Sequence, residues 1–102
     1  MEYVVREFFH PADEDEPNFV YSQLDEARRE TRRVEFYPNG ICFAYGGEMG
    51  HEEALNPEPF PENFQEWNRS GETETRSIPR HLFLEVWEQA LERPDGFMGM
   101  LI

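Results

Sequence analysis

The sequence predicts an α+β domain, in which an antiparallel sheet of four to five strands is covered by one C-terminal helix. Three observations predict it. Short stretches rich in β-branched and aromatic residues follow one another between residues 3 and 45. The pair Asn39-Gly40 separates two of these stretches, which is a strong signal for a β-hairpin. An apolar stripe with helical spacing then begins at Leu82.

The hairpin around Asn39-Gly40 is the centre of the predicted strand meander. A type I′ turn needs positive φ at both central residues, which Asn and Gly tolerate. With this turn Phe36 faces Phe43, and one face of the hairpin carries the large apolar side chains. A type I turn with Gly40 as a bulge instead pairs Phe36 with Cys42 and mixes the two faces. We therefore predict the two-residue turn.

The remaining elements follow from local composition. The strands are predicted at residues 3–10, 18–24, 28–37, 41–45 and 73–78, the last of them at an edge of the sheet. The first strand is apolar on both parities, which favours a central position. Pro79 opens a helix that runs to about Leu91, because proline fits the first helical turn. Residues 93–96 end this helix.

Aromatic and apolar side chains of two segments are predicted to form the core. The helix presents a continuous stripe made of Leu82, Phe83, Val86, Trp87, Ala90 and Leu91. Before the last strand, the proline-dense residues 56–61 form an extended segment, and residues 62–68 form a short helical turn. This turn is predicted to plant Phe60, Phe64 and Trp67 on the core.

Length and composition restrict the class of protein. At 102 residues the chain is expected to form a single domain, residues 1–102. Its one cysteine, Cys42, excludes an internal disulfide and suits a reducing cytosol. No apolar run approaches the roughly 18 residues of a membrane helix, and the N-terminus lacks the pattern of a secretory signal. We therefore expect a soluble cytoplasmic protein.

The charge is the strongest compositional signal. Nine Arg and no Lys stand against 22 Asp and Glu, which gives a net charge of −13. This balance argues against binding nucleic acid or anionic membranes, because phosphate binding relies on clustered basic side chains. It favours a basic protein partner, whose encounter with the chain an acidic surface would accelerate. An acidic surface that serves solubility alone is the alternative explanation.

Acidic side chains in loops are the predicted contacts for a basic partner. One group lies between two prolines in the first loop, a second follows the fourth strand, and a third lies between residues 56 and 68. They are Asp13, Glu14, Asp15, Glu16, Glu48, Glu52, Glu53, Glu58, Glu62 and Glu66. The four Arg between residues 28 and 33 are expected to pair with neighbouring acids rather than to bind nucleic acid.

No motif for catalysis, a cofactor or a metal is present. Residues 46–50 are rich in glycine but match neither of the phosphate-binding glycine motifs. Residues 50–53 do not form the zinc motif H-E-x-x-H, and His10, His51 and His81 are widely separated. We therefore expect a protein without enzymatic activity, cofactor or metal.

Two resemblances extend this interpretation. The run Val34-Glu35-Phe36-Tyr37-Pro38-Asn39-Gly40 and the closing Ile78-Pro79-x-x-x-Phe83-x-x-Val86-Trp87-x-x-Ala90 resemble a bacterial family of small acidic domains of unknown function. That resemblance implies an α+β fold and transfers no functional residue. In size and charge the chain is also similar to immunity proteins that neutralise secreted toxins, many of which are basic nucleases.

Two functional hypotheses follow. The first is a cytoplasmic immunity protein that binds and blocks a cationic toxin domain, as the similarity in size and charge implies. The second is a small homo-oligomeric regulatory domain without catalytic activity, whose homodimer interface is the apolar tail from Phe97 to Ile102. The alternative for this tail, which we favour, is that it docks on the core of its own chain.

Overall fold

A computed structural model of the chain describes residues 1–9 and 15–92. Its strands are β1 (Glu2–Phe8), β2 (Phe19–Leu24), β3 (Glu30–Phe36), β4 (Cys42–Gly46) and β5 (Thr73–Ser77). Its helices are the one-turn α1 (Gln65–Asn68) and the long α2 (Arg80–Glu92). The strands form one antiparallel sheet in the order β4-β3-β2-β1-β5. The predicted fold class is confirmed, as are the central position of the first strand and the edge position of the last.

Several predictions fall outside the described residues. They concern Asp13 and Glu14 of the first acidic loop, His10, residues 93–96 at the expected end of the helix, and the tail from Phe97 to Ile102. The homodimer interface through that tail therefore stays a prediction.

One face of the sheet, the helix face, packs against α2. Side chains alternate between the two faces along each strand, so that Tyr3, Val34 and Ala44 point to the same side. They form one core cluster with Phe83 and Trp87 of α2. Phe83 is completely buried, and its ring centroid lies 5.3 Å from that of Tyr3. Burial of each large side chain in this cluster contributes about 1.5–3 kcal/mol to folding.

We call residues 47–68 the connector. Its first residues border the helix face, where Met49 packs, and its later part covers the opposite face, the second face. Phe60 is buried in a second cluster with Val4 and Leu24, and the rings of Phe64 and Trp67 pack against it. The predicted packing of these three aromatic residues is therefore confirmed. Since α2 covers one face and the connector covers the other, apolar side chains of both parities are buried in the central strands.

The predicted register of the hairpin between β3 and β4 is wrong. Gly40 has a φ of 88°, the residue before it has no positive φ, and the Gly40 N–H donates to the Tyr37 carbonyl at 2.9 Å. This is a type I turn followed by a left-handed glycine, and it pairs Phe36 with Cys42. The predicted register assumed that only one face of the sheet is buried. With both faces covered, Cys42 is buried on the helix face while Phe43 points to the second face.

A β-bulge in β3 determines which of its charged residues meet. Gln23 pairs with Arg32 but the next residue of β2 pairs with Glu30, so Thr31 is an extra residue in β3. Side chains three positions apart normally lie on opposite faces of a strand. The bulge instead brings Glu30 and Arg33 to the second face together.

Gly46→Ala is expected to destabilise the fold more than Gly50→Ala. Both glycines have positive φ, 85° and 69°, but a Cβ on Gly46 would lie 2.3 Å from the Thr31 carbonyl oxygen, whereas Gly50 has open space. Backbone strain should cost about 1–2 kcal/mol at either position. The steric clash should raise the loss for Gly46→Ala to about 3 kcal/mol or more. Urea unfolding measures both, and equal losses would contradict the clash.

Candidate functional site

A cavity of about 200 Å³ lies on the second face between the sheet and the connector. We call it the second-face cavity. Its floor comes from β1, β2 and β3, and the connector supplies one wall. It is lined by Val4, Arg6, Phe8, Pro17, Val20, Ser22, Glu30, Arg33, Glu35, Asn56, Phe60 and Trp67. Four charged side chains and five apolar ones, besides a proline, thus share one partly open cavity.

Glu30 is the most buried charged group of this cavity, with a side chain that is 0% exposed. Its carboxylate accepts hydrogen bonds from the Ser22 hydroxyl at 2.6 Å, the Asn56 backbone N–H at 2.9 Å and the Arg33 Nε at 3.0 Å. These bonds replace the water that burial removes, which a buried carboxylate requires. Glu30 therefore joins β2, β3 and the connector.

Arg33 lies between two carboxylates, those of Glu30 and Glu35, each at 3.0 Å. Burial acts to lower the pKa of Arg33, but the hydrogen bonds and attraction of both carboxylates raise it above its ordinary value. Glu35 also accepts a hydrogen bond from the Tyr37 hydroxyl at 2.8 Å. Burial and this bond raise the pKa of Tyr37, and burial together with Glu35 also raises the pKa of Tyr45.

Arg6 is held differently from Arg33. Its guanidinium lies 4.4 Å from the ring centroid of Trp67 and 5.1 Å from that of Phe8. Within residues 1–9 and 15–92 its buried Nε has no hydrogen-bond partner, and Arg6 forms no ion pair there. Burial lowers the pKa of Arg6. The positive charge in this part of the cavity thus rests on aromatic faces.

Arg28 fastens the connector to the sheet. It donates from Nε to the Phe60 carbonyl at 3.1 Å and from Nη2 to the Pro61 carbonyl at 2.6 Å, and it pairs with Glu2. Its φ of 65° is left-handed, and its N–H donates to the Asp25 carbonyl at 2.9 Å. The turn between β2 and β3 therefore has the same bond pattern as the one that ends at a left-handed glycine after β3.

The connector carries six of the predicted contact residues. Between residues 47 and 68 the chain has six Glu and no Lys or Arg. Three of them pair with a basic side chain: Glu48 with Arg32, Glu53 with His51 and Glu66 with Arg69. The other three, Glu52, Glu58 and Glu62, are exposed and form no ion pair with another described residue.

Asp15 and Glu16 lie at the end of the sheet where β3 ends and β4 begins. The Asn18 N–H donates to the Phe36 carbonyl at 2.8 Å, which places this loop beside the turn that follows β3. Asp15 lines a shallow depression there with Phe43. The connector begins at the other end of β4, so the structure does not bring these two acids together with Glu48, Glu52 and Glu53 at its start.

The four charged side chains of the cavity were not predicted to form a site. Its visible signal is Arg6, a charged residue in the middle of a central strand and directly after the apolar run Tyr3-Val4-Val5. The pairing of Glu30 with Arg33 depends on the bulge at Thr31, which no local pattern reveals. The prediction that the arginines between residues 28 and 33 pair with acids is confirmed for Arg28, Arg32 and Arg33.

No helix in residues 1–9 and 15–92 combines the length and apolar character needed to cross a membrane. The same residues contain no group of three or more His, Cys, Asp or Glu side chains placed to hold a metal ion.

One protein family matches nearly all of the described chain. A family model described as a domain of unknown function, DUF6881, matches residues 2–92. The match spans all five strands and both helices. No curated protein and no solved structure matches the chain.

Glu30→Ala is expected to lower the free energy of unfolding by about 3–5 kcal/mol, because it leaves Arg33 half paired and two buried donors unsatisfied. Glu66→Ala is the matched control, since Glu66 pairs with Arg69 at the same spacing of three residues but is 75% exposed. That variant should change stability little. Urea unfolding compares them, and similar losses would contradict a structural role for the buried pair.

Tyr37→Phe is expected to reduce the loss of stability at alkaline pH. The pKa of Tyr37 is raised in the folded state, so the unfolded chain releases this proton first as the pH rises. The stabilisation is complete below the ordinary tyrosine pKa of about 10 and is lost as the pH rises towards the folded value. Unfolding free energies measured from about pH 8 to pH 11 should fall less steeply for the variant. Parallel profiles would refute the assignment.

Proposed function

We propose, given that the chain belongs to the DUF6881 family of unknown function, that it is a non-catalytic protein that binds a basic protein partner. The proposed partner is a cationic toxin domain, with a nuclease as the leading class. The chain would then be a bacterial immunity protein that acts in the cytoplasm and blocks the toxin by occupying its basic surface.

The charge of the connector is the observation that carries this proposal. Its six Glu and absence of Lys and Arg give −6, close to half of the net charge of −13, on 22 consecutive residues. Glu52, Glu58 and Glu62 have no ion pair with another described residue that a partner would have to break. They are therefore available to meet positive charge.

The attachment of the connector supports recognition of a folded partner. The segment is fixed at Asn56 by Glu30, at Phe60 by backbone and side-chain bonds to Arg28, and at Asn68 by bonds to Thr75. A segment that is already ordered loses less conformational entropy when it binds. Carboxylates displayed in this way can replace the phosphates that a nuclease groove is built to bind.

Charge contacts of this kind are expected to act mainly on the rate of association. Exposed charges steer the encounter of two proteins, and salt screens this steering over a Debye length of about 8 Å at physiological ionic strength. The complex should therefore form fast at low salt and more slowly as salt is added.

The triple variant Glu52→Gln, Glu58→Gln, Glu62→Gln is expected to slow association at least about tenfold at low salt. The partner to test is the product of an adjacent gene, chosen for a positive net charge, and association is measured by surface plasmon resonance. Glu85→Gln, Glu88→Gln, Glu92→Gln is the control, because these exposed residues of α2 carry the same total charge.

The control variant should associate at a rate close to that of the unchanged protein. Equal slowing by both variants would assign the effect to net charge and overturn the role of the connector. A failure of the two unchanged proteins to form a salt-sensitive complex would overturn the proposed partner.

A further inference from the structure

We infer that the second-face cavity binds a small organic monocarboxylate with an apolar body, and that the carboxylate pairs with Arg6. This inference uses the inner side of the connector and none of its exposed acids. A failure of the proposed function would therefore leave this inference unaffected, and the reverse also holds.

The state of Arg6 is the first observation. Arg6 lies in the middle of β1, between Val20 of β2 and Thr75 of β5, in the interior of the sheet. Arg6 as a residue is half-buried, but its Nε is buried, and a charged donor removed from water is stable when a carboxylate or other acceptor pairs with it. Arg33 and Arg28 both have such acceptors, as described above. The Arg6 Nε has none among the described residues.

Aromatic rings do not replace that acceptor. Trp67 and Phe8 attract the guanidinium through their faces, at 4.4 and 5.1 Å from the ring centroids. The donors of a guanidinium lie in its own plane, in a fork that matches the two oxygens of a carboxylate. The rings thus hold Arg6 in place at the cavity while the buried Nε–H stays unpaired.

The charge of the cavity selects a singly charged ligand. Its lining contains Arg6 and Arg33 against Glu30 and Glu35, which sums to zero. A monocarboxylate would bring the site to −1, whereas a phosphate dianion would bring it to −2 beside two carboxylates in a region of low dielectric constant. Arg33 cannot offset this charge, because both of its neighbours already neutralise it.

The remaining lining selects an apolar body of limited size. Val4, Val20 and Phe60 line the cavity together with the rings that contact Arg6. At about 200 Å³ the cavity is smaller than typical drug-binding sites of roughly 300–1,000 Å³. It therefore suits a ligand of about ten non-hydrogen atoms, such as an aryl or short branched carboxylic acid.

The competing explanation is that Arg6 only anchors Trp67 to the sheet. Both explanations predict that loss of Arg6 destabilises the protein. They differ in whether a carboxylate binds to the unchanged protein, so the test begins with that measurement.

The experiment titrates the ¹⁵N-labelled full chain with benzoate and follows its NMR spectrum. Benzamide is the matched neutral probe, and benzylamine and inorganic phosphate test the opposite charge and the dianion. The two tryptophans provide an internal comparison, since Trp67 lines the cavity and Trp87 lies on the helix face. Benzoate should shift the Trp67 indole and Arg6 Nε resonances saturably, leave Trp87 unchanged, and bind at least about tenfold more tightly than benzamide.

Two variants extend the test. Arg6→Gln should weaken benzoate binding at least about tenfold. Arg32→Gln should leave the affinity within about twofold, although Arg32 lies over Trp87 in the same way, at 5.0 Å on the other face. If Arg6→Gln does not fold, the comparison of benzoate with benzamide on the unchanged protein decides alone.

Several outcomes would overturn the inference. They are the absence of saturable shifts with benzoate, equal binding of benzoate and benzamide, and tighter binding of benzylamine or phosphate than of benzoate. An equal loss of affinity in both arginine variants would also overturn it.

Discussion

The attachment of the connector to the second face is the constraint on which the rest of the structure depends. Residues 47–68 contain two short 3₁₀ turns and one helical turn but no strand, so no sheet ladder holds them in place. Arg28 and Glu30, from the end of the β2–β3 hairpin, supply the bonds instead, to Phe60, Pro61 and Asn56. Without these bonds the apolar cluster around Val4 would be open to water, and the cavity would lose one wall.

The connector has two chemically different sides as a result. Its inner side, through Phe60 and Trp67, contributes aromatic surface to the core and to the cavity. Its outer side presents carboxylates, of which Glu58 and Glu62 alternate with the prolines on either side of Phe60. The prolines favour an extended backbone, in which neighbouring side chains point in different directions. One short segment thereby separates the half-buried Arg6 and its cavity from an acidic exterior.

The sequence predicts those parts of the fold that depend on neighbouring residues. The five strands and α2 follow from local composition and spacing, and the helix stripe correctly identifies Phe83, Trp87 and Ala90 as buried. The β3–β4 register was missed because it depends on how many faces of the sheet are covered, which is a tertiary property. The cavity was missed because it requires the bulge at Thr31 and contacts between residues about 26 to 33 positions apart.

The β2–β3 and β3–β4 turns each place a left-handed residue at the same point, Arg28 in the first and Gly40 in the second. For an arginine that backbone conformation costs about 1–2 kcal/mol. A design based on local turn preferences alone would place glycine at both positions, 28 and 40. The redesigned loop would be more relaxed, yet it would lose the side-chain bonds to Phe60 and Pro61 that help to hold the connector over the smaller hydrophobic cluster. Here a locally unfavourable residue is the one that the long-range architecture requires.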